Sequence, residues 1–213
     1  MNVVAASTRI ELSRIPRRTG WKKLRTGMGS IAGKTLGAHL DSTALTTTTV
    51  LSTGYCGALA GHLKANDVVL ADSIDGGGGA HSLSKELVDR VAEKLRHEGV
   101  RAHRGTIVYR PEVVASGVAK RVLHDRTGAL AVDTESGPLA DTVSAHGGEL
   151  VVVRIVLDSR DAELPFSVSS SPARSALRHP LAAARIIRGA ERAAAAIGRT
   201  VPLVQQAMEG GNG

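Results

Sequence analysis

The sequence predicts a single α/β domain, a central sheet flanked by helices, and three observations carry that reading. Residues 130–158 run from a short apolar segment through an acidic cluster and a helical segment into a long apolar run and a final aspartate. The run Leu-Val-Val-Val-Arg-Ile-Val-Leu at 150–157 is what a strand buried on both faces requires, and about a dozen helical residues between two apolar segments make a βαβ unit with parallel strands. The composition is the second observation: 42% hydrophobic with 24 glycines but only 2% aromatic, which suits an α/β core built of Val, Leu, Ala and Gly. The third is the alternation of β-branched runs with helical patterns along the chain. At 213 residues the length fits one domain, expected at 1–206 with a disordered tail at 207–213.

The elements follow in order. Residues 2–6 are apolar and read as a first strand, and residues 14–23 are basic and hold Trp21, read as a surface or interface residue rather than a site residue. Residues 24–30 read as a strand, a glycine turn and the start of a helix to about Leu40. Glycines there can turn backbone N–H groups toward an anion or water, or can simply make a tight connection. Residues 46–53 and 67–72 are the next strands. Gly76 to Gly79 make either a mobile flap or a plain linker. Leu83, Leu87, Val91 and Leu95 recur every four residues, which predicts a helix over 83–97. A strand at 100–109 and a helix within 113–125 precede the central unit. Pro138 fits the first turn of its helix, where a missing N–H costs nothing. Residues 166–179 read as a loop and 181–199 as a last helix.

Parallel strands would bring Glu135 and Asp158, each just past its strand, to one edge of the sheet, the edge at which such sheets bind ligands. Taken alone, Glu135 could serve only the helix dipole and Asp158 only a turn.

The single cysteine, Cys56, excludes an internal disulfide and a multi-cysteine metal site, and no metal is expected. With no leader pattern and no apolar run of roughly 18 residues, a cytoplasmic protein is expected. A net charge of +7 allows nucleic acid, an anionic membrane or a phosphorylated substrate as partner. Nucleic acid is set aside, because the basic residues are scattered and stacking aromatics are scarce.

Three blocks in order resemble the superfamily of purine nucleoside phosphorylases and methylthioadenosine/S-adenosylhomocysteine nucleosidases. They are Ser52-Thr-Gly-Tyr-Cys-Gly-Ala-Leu59 with the following Leu63-Lys-Ala-Asn-Asp-Val-Val69, then Gly128-Ala-Leu-Ala-Val-Asp-Thr-Glu-Ser136, then Val153-Arg-Ile-Val-Leu-Asp158. The chain's end, with 158–165 and Arg178-His-Pro180, looks like the hopanoid-associated phosphorylase branch, thought to strip adenine from a lipid-linked adenosine. The resemblance implies a mixed central sheet and cleavage of a purine N-glycosidic bond, without a cofactor, and with inorganic phosphate as co-substrate if the enzyme is a phosphorylase. It also implies a homodimer.

By resemblance, Asp158 is the acid that protonates the leaving base, Glu135 binds the ribose diol, and Glu11 orients or deprotonates the attacking water. An acid working near neutrality needs a raised pKa, which burial supplies, and a carboxylate suits both a diol and a cationic sugar. Thr134, Gly54, Tyr55, Val113 and Val114 are expected at the substrate, and Arg25 or Gly29 at a phosphate or water. Three departures matter. Thr134 stands where the family places Met, and Leu157 replaces a small polar residue before the acid. Ser52 and Tyr55 occupy positions where bacterial purine nucleoside phosphorylases bind phosphate with Arg and Ser, which favours hydrolysis over phosphorolysis. A family member that binds a nucleoside without cleaving it is the rival reading.

Arg178, Arg185, Arg192 and Arg199 recur every seven residues, with Arg188 beside them, so on a helix they form one basic stripe. That stripe is either the solvated face of a terminal helix or a contact with the anionic inner face of a membrane.

Overall fold

The computed structural model describes residues 2–42, 49–76, 79–163 and 180–210. In chain order the elements are β1 (Asn2–Ala6), α1 (Arg9–Ser13), β2 (Trp21–Arg25), α2 (Ile31–Asp41), β3 (Thr49–Ala58), β4 (Val68–Asp75), β5 (Ala80–Ser82), α3 (Lys85–His97), β6 (Ala102–Tyr109), α4 (Gly117–Thr127), β7 (Ala131–Asp133), α5 (Ser136–Ala145), β8 (Glu149–Asp158) and α6 (Pro180–Glu209). Helix starts follow local chemistry: the hydroxyls of Ser84 and Ser116 accept from the backbone N–H groups of Leu87 and Ala119. Gly128 ends α4 at φ 65°, a conformation glycine adopts without strain.

The sheet is mixed and its pairings close on themselves. β3 pairs with β8, β8 with β4, β4 with β6, β6 with β7, and β7 with β3. β1 and β2 extend from β3, and β5 from β4. Val151, Val152, Val153, Ile155 and Val156 of β8 are all buried, because one face of the sheet is covered by α2 and α5 and the other by α3 and α6.

The expected βαβ unit of parallel neighbours does not form. Both edges of β8 are taken, in parallel by β3 and in antiparallel by β4, so β7 lies on the other side of β3 and runs antiparallel to it. The consequence is local. β3 shifts register between Cys56 and Gly57, and Gly57 then stands opposite Val132 of β7 and Asp158 of β8 together. The acidic ends of two oppositely directed strands meet around the end of a third.

Other differences are smaller. β5, three residues long and mostly exposed, carries no apolar signal and was not expected. Gly77 and Gly78 of the expected flap, residues 46–48 of the third expected strand and the expected loop at 166–179 lie outside the described residues. Residues 207–209, expected in the tail, belong to α6, and residues 211–213 lie outside the described residues. α6 continues to Glu209, where Met208 is buried and the carboxylate accepts from Arg18 and from the Trp21 ring N–H at 2.6 Å. On α6, Arg188, Arg192 and Arg199 are exposed while Ala193, Ala194, Ala196 and Ile197 are buried. Arg178 and the side chain of Arg185 lie outside the described residues. Among the described residues, no helix is long and apolar enough to cross a membrane.

Candidate active site

A cavity of about 180 Å³ opens where β3, β7 and β8 end. Its lining includes Glu11, Tyr55, Val113, Val114, Thr134, Glu135 and Asp158, together with Ser7, Thr8, Met28, Cys56, Gly57, Glu112, Val132, Asp133 and Leu157. Gly54 lies behind it, where a Cβ would come within 2.9 Å of Glu11 Oε1. Arg25, exposed on β2, and Gly29 are not among the lining residues.

Glu11 is fixed by the helix it begins. Thr8 caps α1, and its backbone N–H and hydroxyl both donate to Glu11 Oε2, at 2.7 and 2.8 Å, in a capping box. Tyr55 N–H donates to Oε1 at 3.3 Å. Burial pushes the Glu11 carboxyl above its ordinary value, against the Thr8 bonds and the nearby Arg154 charge. Tyr55 also ties the site to α6, its hydroxyl donating to Ala190 O at 3.0 Å. Burial and the Glu11 charge push that phenol up to about 12, so it stays protonated. The Cys56 thiol is raised well above its ordinary value, chiefly by burial, which leaves it without thiolate character.

The acidic segment after β7 divides its work. Asp133 Oδ1 accepts from Ser136 Oγ at 2.7 Å, Ser136 N–H at 3.0 Å and Glu135 N–H at 3.3 Å, so Asp133 caps α5. Glu135 makes no side-chain capping bond; it accepts from Thr134 Oγ1 and faces the cavity. Burial and the Asp133 charge push Glu135 up to about 7, with Arg154 and Thr134 opposing. Arg154, fully buried on β8, donates from Nε to Asp133 Oδ2 at 2.6 Å and from Nη2 to Ser52 Oγ at 3.0 Å. Its charge is felt by Glu11 and Glu135.

Asp158 pairs through Oδ2 with Lys120 of α4, which is fully buried. Burial raises its carboxyl above the ordinary value, and Lys120 pulls it back. Leu157 places an apolar side chain at the cavity wall beside it.

Sequence reasoning gave no role to Arg154, Lys120, Asp133 or Glu112. A single arginine inside the apolar run of β8 was a signal, since a buried guanidinium must be paired. For Lys120 the signal was its place between Gly117 and Leu123, three residues from each and on the same buried helix face.

A family model described as the phosphorylase superfamily matches residues 24–201. The chain belongs to that superfamily. It is thus an enzyme of the nucleosidase and phosphorylase class. A comparison with curated proteins gives no match. Among solved structures, this superfamily chain is similar to a futalosine hydrolase mutant of Helicobacter pylori, with TM-score 0.76 and 15% identity over 96% of this chain and 98% of that one. It is also similar to a mutant methylthioadenosine/S-adenosylhomocysteine nucleosidase of the same organism with 5′-methylthioadenosine in the active site, at TM-score 0.75, 14% identity, and 96% and 97% coverage. A putative nucleosidase of that kind from Borrelia burgdorferi, bound to adenine, has TM-score 0.76 at 12% identity, covering 97% of this chain and 99% of that one. At these identities the likeness establishes the nucleoside phosphorylase fold.

Proposed function

We propose that this superfamily member hydrolyses the N-glycosidic bond of an adenine nucleoside modified at its 5′ position. The observation that carries the reading is the charge of the cavity wall. Five acidic residues line it, Glu11, Glu112, Asp133, Glu135 and Asp158, with Asp133 and Asp158 paired to the buried Arg154 and Lys120 behind the wall, and none of the lining residues is Lys or Arg. Such a wall stabilises the positive charge that develops on the sugar as the bond breaks, and it repels a phosphate dianion. Water is therefore the favoured acceptor. In this reading Asp158 gives a proton to the base, Glu135 receives the ribose hydroxyls, and Glu11 orients the water. Met28, Val113, Val114 and Leu157 supply apolar wall for the rest of the nucleoside.

Phosphorolysis is the alternative, and Arg25 or the Gly29 turn would be its phosphate contacts. The experiment is adenine release across adenosines that differ only at the 5′ position. Faster release from 5′-modified compounds than from adenosine is expected. Tight binding with no release across the panel overturns cleavage in favour of a nucleoside-binding protein.

We also propose a homodimer, supported by the exposed apolar side chains of Ile10, Met28 and Ile31, of which Met28 lines the cavity. A lipid-linked substrate would place α6 at an anionic bilayer, each arginine contributing about 1 kcal/mol. Salt-sensitive binding to anionic liposomes is expected, lost when Arg188, Arg192 and Arg199 become Gln; no pelleting at low salt removes the membrane contact.

A further inference from the structure

We propose that Lys120 is a positioning residue for bond cleavage: its ammonium group holds one oxygen of Asp158 and sets the pH range over which the other keeps a proton for the leaving base. The inference rests on the nucleosidase reading above. Lys120 Nζ donates to Asp158 Oδ2, to Ser159 O at 3.1 Å and to Ala162 O at 3.0 Å. An ammonium has three N–H donors and a neutral amine has two, so this acceptor set is filled only by the charged form. With all three donors used and the side chain fully buried, Lys120 has none left for a ligand and acts through Asp158.

The backbone is built around this contact. Gly117 N–H donates to Glu163 Oε1 at 2.9 Å, which ties the start of α4 to the segment whose carbonyls hold Lys120. A Cβ at Gly117 would lie 3.2 Å from Arg160 O, so α4 packs tightly on that segment.

The chemistry explains the need for a cation. As the N9–C1′ bond breaks, its electron pair moves to the base, Asp158 gives its proton to N7, and water adds to C1′ and loses a proton to Glu11. The carboxylate left behind is buried, and Lys120 neutralises it. The other groups facing Asp158 do not. Cys56 on β3 is a neutral thiol, Glu112 precedes α4, and Glu135 and Glu11 stand across the cavity. Arg154 is committed to Asp133, and Arg160 lies against Gly61. Burial favours the protonated form of Asp158, and Lys120 offsets that.

The test is carboxyl carbon NMR of the unliganded protein, with Asp158→Asn to assign the signal, alongside the pH profile of kcat/KM. In Lys120→Met the titration midpoint of Asp158 should rise by about 1 to 3 pH units, and the alkaline limb of the profile, where the acid loses its proton, should rise with it. Lys120→Arg should restore both in part. If the Met variant does not fold, Lys120→Gln keeps two N–H donors for the carbonyls, loses the charge, and should show the same rise. A wild type that cleaves no nucleoside sinks the nucleosidase reading. An active wild type whose variants lose turnover with neither midpoint nor limb moved sinks the role of Lys120 alone.

Discussion

Asp133 and Asp158 both end a strand and both pair with a fully buried cation, yet they differ in what remains free. Asp133 has a wholly buried side chain, Oδ1 serving three donors at the start of α5 and Oδ2 taken by Arg154. Asp158 is 12% exposed, and only Oδ2 is engaged; among the described residues no donor meets Oδ1. The first pair has no capacity left for a ligand and holds the site together. The second keeps an oxygen free, as the proposed acid role requires. What separates the two carboxylates is the number of acceptor positions the protein leaves unused, because both are buried beside a positive charge.

The largest expected effect is on turnover. Asp158→Asn should cut kcat by a factor on the order of 10² to 10⁴, measured by adenine release, with the loss smaller for bases that leave readily as anions. Equal loss for good and poor leaving groups would break the comparison, since Asp158 would then not be the acid. The matching change at the other pair should act on stability. Asp133→Ala leaves Arg154 without its counter-charge and α5 without its cap, and should cost about 3–5 kcal/mol by chemical denaturation. A stable Asp133→Ala protein with lost activity would reverse the assignment.

Glu135 sharpens the comparison, because it has a free face but no cation bonded to it. Glu135→Gln should weaken ribosides by about 10- to 100-fold in kcat/KM and 2′-deoxyribosides much less, since only ribosides offer both hydroxyls to the charge. Its effect on stability has a definite sign. A carboxyl raised to about 7 in the folded protein binds its proton more tightly there than in the unfolded chain. It therefore contributes stability below the ordinary carboxylate range that is lost as pH rises toward 7. Glu135→Gln should raise Tm at pH 8 and change it little at pH 5.

Parts of this arrangement were legible in the sequence. The apolar run of β8 and the helix of α3 read directly, since each shows its buried side through periodicity or its absence. Asp158 and Glu135 stand out as carboxylates just past strand ends, Glu11 follows only from the family resemblance, and the structure gathers the three at one cavity. Strand direction did not read, because a buried run looks the same whichever way its neighbour points. The meeting of Glu135 and Asp158 at one cavity was expected from parallel strands and instead arises at the bulge of β3. The division between Asp133 as cap and Glu135 as wall was equally hidden, for adjacent acids differ only once the helix start is fixed. Lys120 comes from α4, far in sequence from Asp158, and no local pattern links them.

The central claim, water attack at an anionic cavity, is tested most directly by cleavage of a 5′-substituted adenosine in phosphate-free buffer. The account predicts adenine and the free sugar as products in equal amounts, both suppressed in Asp158→Asn. Release that appears only when phosphate is added, with a sugar 1-phosphate as product, would contradict it.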